Sequence, residues 1–368
     1  MARPRRLNRG VVLLTTLLLM AILAGVGWNL SGRQTLLVTE HRMAFANDQA
    51  FQYALGAETF ARQILRQDWA QEGDRRDTLL EPWAQSPPPF AIDNGSIELR
   101  ARDLNGCFNL NALAVSAPVG TPEEPGDAIG GVQIEPVNAL IGTPREPGNT
   151  LIGTPREPGT PGNRERFQRL LAQVGLTPDL ADSWRDWLDP DDTPAGAGAE
   201  DGDYLLESPA YRTANQPAAH VSEFDLLRGN ESDARALLSE LVCVLPDTGL
   251  KVNVNTAVSG VLAALIPEPN LEALAEFAAA PRDLSDVGQF TAQFPEFSVA
   301  VDALTVSSEY FEISVRVRVD DSTVEMVSVI HRDPASGRLS VISRDLSRYF
   351  LSRAPAAAEA NQSIEPAR

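Results

Sequence analysis

Between residues 189 and 203 the sequence reads DPDDTPAGAGAEDGD, which places Asp189, Asp191, Asp192, Glu200, Asp201 and Asp203 on one short segment. So many like charges repel one another unless a cation sits among them. Calcium, a hard cation that takes roughly six to eight oxygen ligands, is the natural candidate. Asp189, Asp191 and Glu200 copy the spacing of the first, third and last ligands of an EF-hand loop, but Pro194 stands where that loop requires glycine. The segment is therefore not an EF-hand. On composition it reads either as a looser calcium site or as a solvated acidic loop. Paired carboxylates also hydrolyse glycosides, but only from the rigid walls of a sugar-sized cleft, and a single Gly/Pro-rich loop offers none. No GxSxG, P-loop or GxGxxG motif occurs. His41, His220 and His331 are the only histidines, and neither they nor Cys107 and Cys243 fall in a zinc-binding spacing. His220 and Ser222 are neighbours without an oxyanion signature, which favours a core or surface role over catalysis.

The charge balance narrows the partners. The chain has 368 residues and a formal charge of −19. Phosphate backbones repel such a surface, so no nucleic-acid partner is expected. Divalent cations and basic partners suit it. The length is enough for more than one buried core.

The elements that would carry the loop begin at the N-terminus. Residues 1–10 hold Arg3, Arg5, Arg6 and Arg9, and Val11 to Trp28 run without a charge. As a helix this stretch covers ~27 Å, close to the ~30 Å hydrocarbon core of a bilayer. The positive-inside rule keeps the arginines in the cytoplasm and puts everything after Arg33 outside. A cleavable secretory signal is the competing reading, with Gly25-Val26-Gly27 as a passable cleavage site. However, no proline lies between Pro4 and Pro82, and Tyr53, Ala57, Phe60 and Ile64 recur with helical spacing. The apolar segment thus runs on into an amphipathic helix over 36–65. An outside, oxidising location lets Cys107 and Cys243 pair, closing a long loop at a gain of up to ~5 kcal/mol; the alternative is two small buried apolar residues.

Further along, residues 92–115 alternate like a β-hairpin, with Asp103-Leu104-Asn105-Gly106 as its turn and CFNLN as its return. GTPEEPG (120–126) and two copies of GTPREPG (142–148 and 153–159) repeat inside a segment that has no apolar face and is expected to be disordered. Residues 163–290 read as helices. Thr177, Ser222, Ser232, Thr256 and Asn270 are their expected caps, and Trp184, Trp187 and Leu188 form one apolar face. Residues 305–319 and 322–344 read as strands, with a turn at 334–337.

A basic leader ending in Gly10, a hydrophobic helix and an amphipathic continuation resemble a type IV pilin or pseudopilin precursor. The resemblance implies that a prepilin peptidase cuts between Gly10 and Val11. Most pilins carry glutamate at the fifth mature position. Here it is Thr15, a departure that fits the K-type minor pseudopilin of type II secretion. DLNGCFNLNAL, WLDPDD…GAEDGDYL, YRTANQP, SEFDLLRG and KVNVNTA, in that order, are similar to that family over nearly the whole chain. The implied fold is α+β: a pseudopilin fold, with a long N-terminal helix packed on an antiparallel sheet, and a large inserted α-helical domain. The expected organisation is a leader (1–10), a transmembrane helix (11–30), its periplasmic continuation (31–70), the first part of the sheet (71–115), the repeat insertion (116–162), the helical domain (163–290), the rest of the sheet (291–350) and a disordered tail (351–368). The implied function is non-catalytic, at the tip of the secretion pseudopilus, promoting its assembly and the export of folded proteins from the periplasm. The implied partners are other minor pseudopilins (I, J and H types), prepilin peptidase, the inner-membrane secretion platform and secreted substrates. Calcium is the implied cofactor, held among the acids of 189–203. The alternatives are a membrane-anchored periplasmic calcium-dependent hydrolase and a minor pilin of a type IV pilus.

Overall fold

The computed structural model describes residues 9–71, 75–114, 162–230 and 234–346, with side chains of the first helix described at 13–28 and from Glu40 onward. Most of the leader, all of the repeat insertion except Gly162, Ser232 and the tail lie outside the described residues.

In chain order the elements are α1 (Arg9–Gln71), β1 (Phe90–Ile92), β2 (Gly95–Asp103), β3 (Phe108–Asn109), α2 (Asn163–Gln173), α3 (Leu180–Leu188) and α4 (Asp201–Tyr204). They continue with α5 (Ala234–Leu238), β4 (Val242–Cys243), β5 (Val252–Asn253), α6 (Ser259–Ala264), α7 (Leu271–Ala279) and α8 (Val287–Gln293). The last four strands are β6 (Leu304–Thr305), β7 (Tyr310–Val319), β8 (Ser322–Arg332) and β9 (Leu339–Asp345). The proline-free stretch forms one 63-residue helix. Its first part is bare: Leu14, Met20, Leu23 and Trp28 are all exposed. Among the described residues no helix is long and apolar enough to cross a membrane; the apolar run of the sequence starts at Val11, two residues before the first described side chain.

The second part of α1 lies on a five-stranded antiparallel sheet of order β1-β2-β7-β8-β9. The seam is made of small residues, Ala46, Ala50, Ala54, Ala57 and Ala61, closed by Leu65. Alanine costs the helix nothing in propensity and lets its backbone approach a face built from Leu99, Phe311, Ile313, Val315, Val317, Val324 and Met326. The aromatic positions of the expected stripe flank this seam: Tyr53 is half-buried, and Phe60 is 48% exposed and meets Phe90 edge-on. Large side chains on α1 would hold the helix off a sheet face that is already Val/Ile-rich.

The expected hairpin over 92–115 is corrected. β2 pairs with β1 on one side and β7 on the other, and residues 107–109 do not return along it. β3 instead pairs in parallel with β4, so the chain leaves the sheet at Asp103 and enters a second core. That core gathers Phe108, Leu110, Phe167, Leu170, Trp184, Trp187, Phe224, Leu262, Phe290 and Phe297. The helical unit starts near residue 104 and ends where β6 pairs with β5, later than the expected 290.

A buried polar knot joins the two cores. Asp103 Oδ2 accepts from Thr256 Oγ1 (2.5 Å), Ser308 Oγ (2.6 Å) and Asn253 Nδ2 (3.1 Å). Arg332 grips both carboxylate oxygens of Asp77, donates to Ser308 O at 2.7 Å, and lies over the rings of Trp69 and Phe311. Cys107 and Cys243 form a disulfide beside it, packed with Leu104, Leu245 and Tyr310.

Removing one partner of a buried ion pair costs about 3–5 kcal/mol. Asp77 is 1% exposed and Arg332 is 2% exposed, so Arg332→Leu should lose that much stability in urea unfolding. Arg332→Lys should lose less, keeping the charge without the fork. A loss under about 1 kcal/mol for Arg332→Leu would show that Asp77 does not depend on this cation.

Candidate metal centre

The centre lies at the C-terminal end of α3. The apolar face of α3 is fixed by Trp184, whose Nε1 donates to Leu110 O at 3.0 Å, and by Trp187, whose Nε1 donates to Glu223 at 3.0 Å. The helix begins at Leu180, with Asp179 as its cap residue, rather than after Thr177. Asp189 caps its C-terminal end, and the chain then folds back over α3 until Glu200 opens α4.

This return brings Asp189, Asp191 and Glu200 together, with one carboxylate oxygen from each lying within 4.8 Å of the others. Asp189 and Glu200 are almost fully buried and Asp191 is exposed. Asp189 Oδ1 and both carboxylate oxygens of Glu200 are buried with no hydrogen-bond partner among the described residues. Such oxygens are costly to desolvate, and an oxygen-seeking divalent cation is what would satisfy them. Arg185 stands 3.9 Å from Asp189 at the rim. Asn215, whose N–H donates to Trp187 O at 3.0 Å, also carries a buried Oδ1 without a partner.

The electrostatics agree with this geometry. Burial pushes the Glu200 carboxyl up to about 8, helped by Asp186, Asp189, Asp191 and Asp192. Burial raises Asp186 to about 6 and also raises Asp189, the latter aided by Asp191.

The other acids of the segment are placed differently. Asp192 is exposed on the loop. Asp201 points away from the centre, accepting from Thr213 N and Oγ1 at 3.0 Å each and pairing with Arg212. Asp203 pairs with Arg228. These two close the exposed turn after α4 rather than joining Asp189. His220, not Ser222, is the cap of the 3-10 turn over Val221–Leu226, with Nδ1 accepting from Ser222 N and Glu223 completing a capping box. Gly10 and Val11 lie on the α1 backbone, and their surroundings are outside what is described. A second trio, Asp68, Asp77 and Glu81, also brings carboxylate oxygens within 4.8 Å of one another. It is satisfied from within: Arg332 holds Asp77, while Thr78 N and Trp83 Nε1 donate to Glu81.

The sequence reading missed Asp182 and Asp186. Their signal was available, since Asp182, Asp186 and Asp189 recur at helical spacing along α3.

Folding raises the proton affinity of Glu200 and Asp186, so in a chelator the folded chain retains protons that the unfolded chain releases. The stability this gives is complete below the unfolded carboxyl range, near 4.5 for glutamate, and is lost as pH rises through about 6 and then about 8. Chelated protein should therefore melt lower at pH 8 than at pH 5, and Glu200→Gln should flatten much of that slope. An unchanged slope in Glu200→Gln would remove Glu200 as its source.

Comparison with known proteins gives a consistent result. The profile of the family described as type II secretion system (T2SS), protein K, matches residues 106–247. A Pseudomonas aeruginosa protein named Type II secretion system protein K is 32% identical, over 94% of this chain and 95% of its own length. A Klebsiella pneumoniae protein of the same name is 32% identical over 71% of each chain. Among solved structures, the crystal structure of the GspK–GspI–GspJ complex from the enterotoxigenic Escherichia coli type 2 secretion system matches with a TM-score of 0.64. It is 26% identical, over 84% of this chain and 99% of that one.

Proposed function

The chain belongs to the type II secretion system protein K family and is a minor pseudopilin of that system, and from this premise we propose that it stands at the tip of the pseudopilus and works by assembly rather than catalysis. The observation that carries the tip position is the helical unit inserted between β2 and β7. Repeated along a thin helical filament, a body of that bulk would collide with itself; at the end of the filament it has room. Thr15 supports the same reading. It offers no carboxylate to the terminal amine of a subunit above, and an unpaired charge in lipid is costly. A subunit that begins the filament has no such neighbour.

In this reading prepilin peptidase cuts between Gly10 and Val11, residues 11–30 anchor the chain in the inner membrane, and the body is periplasmic. The exposed apolar side chains of α1 beyond the membrane, Met43 and Phe45 among them, are contacts for other minor pseudopilins. The I and J types come first, since the complex from enterotoxigenic Escherichia coli carries those names. The H type, the inner-membrane secretion platform and secreted substrates complete the set. Asp189, Asp191 and Glu200 hold calcium, with Asp192 adding charge. The support for this is the set of buried carboxylate oxygens without partners. Bound there, the ion joins the end of α3 to the start of α4.

Full-length chain purified from membranes that contain prepilin peptidase and the I and J pseudopilins should begin at Val11 by mass spectrometry and should bring I and J with it. An N-terminus at Met1 or near Trp28 would overturn the processing, and cross-links at regular intervals along the filament shaft would overturn the tip position. The calcium reading has its own check. Melting in calcium should exceed melting in chelator, because binding to the folded state alone stabilises it, and Asp189→Ala should remove the difference. Equal melting temperatures for the unaltered chain would reject the ion.

A further inference from the structure

The loop that carries the proposed ligands does not hang free from α3. Its backbone rests on two carboxylates that the ligand set leaves out. Ala195 N–H donates to Asp186 at 3.2 Å and 3.0 Å, one contact to each oxygen. Ala197 N–H donates to Asp182 Oδ2 at 3.1 Å. Asp182 is itself held from α2 by Arg164, whose Nη2 donates at 2.9 Å. Both carboxylates are buried, Asp186 at 0% exposed and Asp182 at 3%.

The fit is close enough to dictate residue type. A Cβ at Gly198 would lie 1.8 Å from Asp186 Oδ2, and a Cβ at Gly196 would lie 2.4 Å from Asp182 Oδ2. Gly196 also has a φ of +62, which side chains rarely adopt. Two glycines are therefore placed where the main chain must touch two carboxylates. One turn of α3 separates Asp182 from Asp186, and the next acid along that row is the ligand Asp189.

We propose that Asp182 and Asp186 are positioning residues for the calcium site: they seat the 195–198 backbone on α3 and so set the distance between Asp189 and Glu200. The role rests on the calcium reading given above. It gives a role to a buried Asp186 whose carboxylate is held by the Ala195 N–H and is attracted by Arg185 at the foot of an acidic centre. Groups one step removed from a metal, which orient its ligands, typically change affinity by about 10–100-fold when altered.

The test measures calcium affinity of the full-length chain in detergent, by calorimetry and by melting along a calcium series. The unaltered chain is compared with Asp189→Ala, Asp186→Asn, Asp182→Asn and Gly198→Ala. Asp186→Asn and Gly198→Ala should each weaken calcium at least ~10-fold, although neither position belongs to the proposed ligand set. In the melting series, the calcium concentration at which Tm begins to rise should move up by the same factor. A purely packing role would instead lower Tm equally at all concentrations and leave that onset in place. Where Gly198→Ala fails to fold, Asp186→Asn and Asp182→Asn carry the test, since both keep the side-chain shape. Affinities within about twofold of the unaltered chain would overturn the positioning role while leaving the calcium site standing. No binding by the unaltered chain, matched by Asp189→Ala, would overturn the site and the positioning role together.

Discussion

A buried carboxylate at the point where the chain leaves the sheet governs how the two halves of this molecule meet. Asp103 is the last residue of β2 and the end of the shared face with β7. Its side chain faces inward at 4% exposure, and burial with the nearby Asp77 raises its pKa to about 6. The carboxylate is tolerated there because each half contributes donors. Asn253 and Thr256 come from the helical unit, and Ser308 comes from the approach to β7. Asn253 also reaches Asp77 O, and Arg332 from β8 holds the Asp77 carboxylate. Because Asn253 and Thr256 lie in the helical unit, neither core is complete at this boundary without the other. At this boundary the helical unit is thus tied to the sheet by hydrogen-bond satisfaction, with hydrophobic contact supplying the bulk of each core on either side.

Two packing solutions coexist on the sides of that knot. The sheet unit uses an alanine seam, so α1 lies close and presents its larger side chains elsewhere. The helical unit is short-helix and aromatic, with Phe277, Phe290, Phe294 and Phe297 in mutual edge and tilted contact. The first solution suits a helix that continues beyond its own domain. The second suits a compact block that carries a loop-built site. α3 has to serve both purposes, since its tryptophans face the core while Asp182 and Asp186 face the returning loop.

The sequence carried the periodic elements well. The long helix, the strands of the terminal sheet and the Asn270 cap follow from local chemistry, and the structure places them within a few residues. Where the reading failed, the deciding interaction was non-local. Residues 107–109 alternate like a returning strand, but Phe108 and Asn109 pair with Val242 and Cys243, far along the chain. Apart from Ala57, the alanine seam was passed over because small residues carry little hydrophobic signal, although the sheet selects them. The acidic loop was legible as a cluster but not as a geometry. Nothing local distinguishes Asp201, which folds back onto Thr213, from Glu200 one residue earlier, which points inward.

β2 and β7 are neighbours in the sheet, yet Asp103 pairs with Phe311 across roughly two hundred intervening residues. Closing an unstructured loop of that length costs ~3 kcal/mol more in chain entropy than closing a tight hairpin. The helical unit removes most of this cost if it folds first, because its entry and exit are then already adjacent: Leu104 N–H bonds Tyr310 O at 2.9 Å. A disulfide between residues 107 and 243 shortens the free path further. In the folded chain the insertion thereby acts as the staple of the sheet it interrupts: its entry at Leu104 and its exit at Tyr310 are bonded to each other, and the β2–β7 ladder continues from that point.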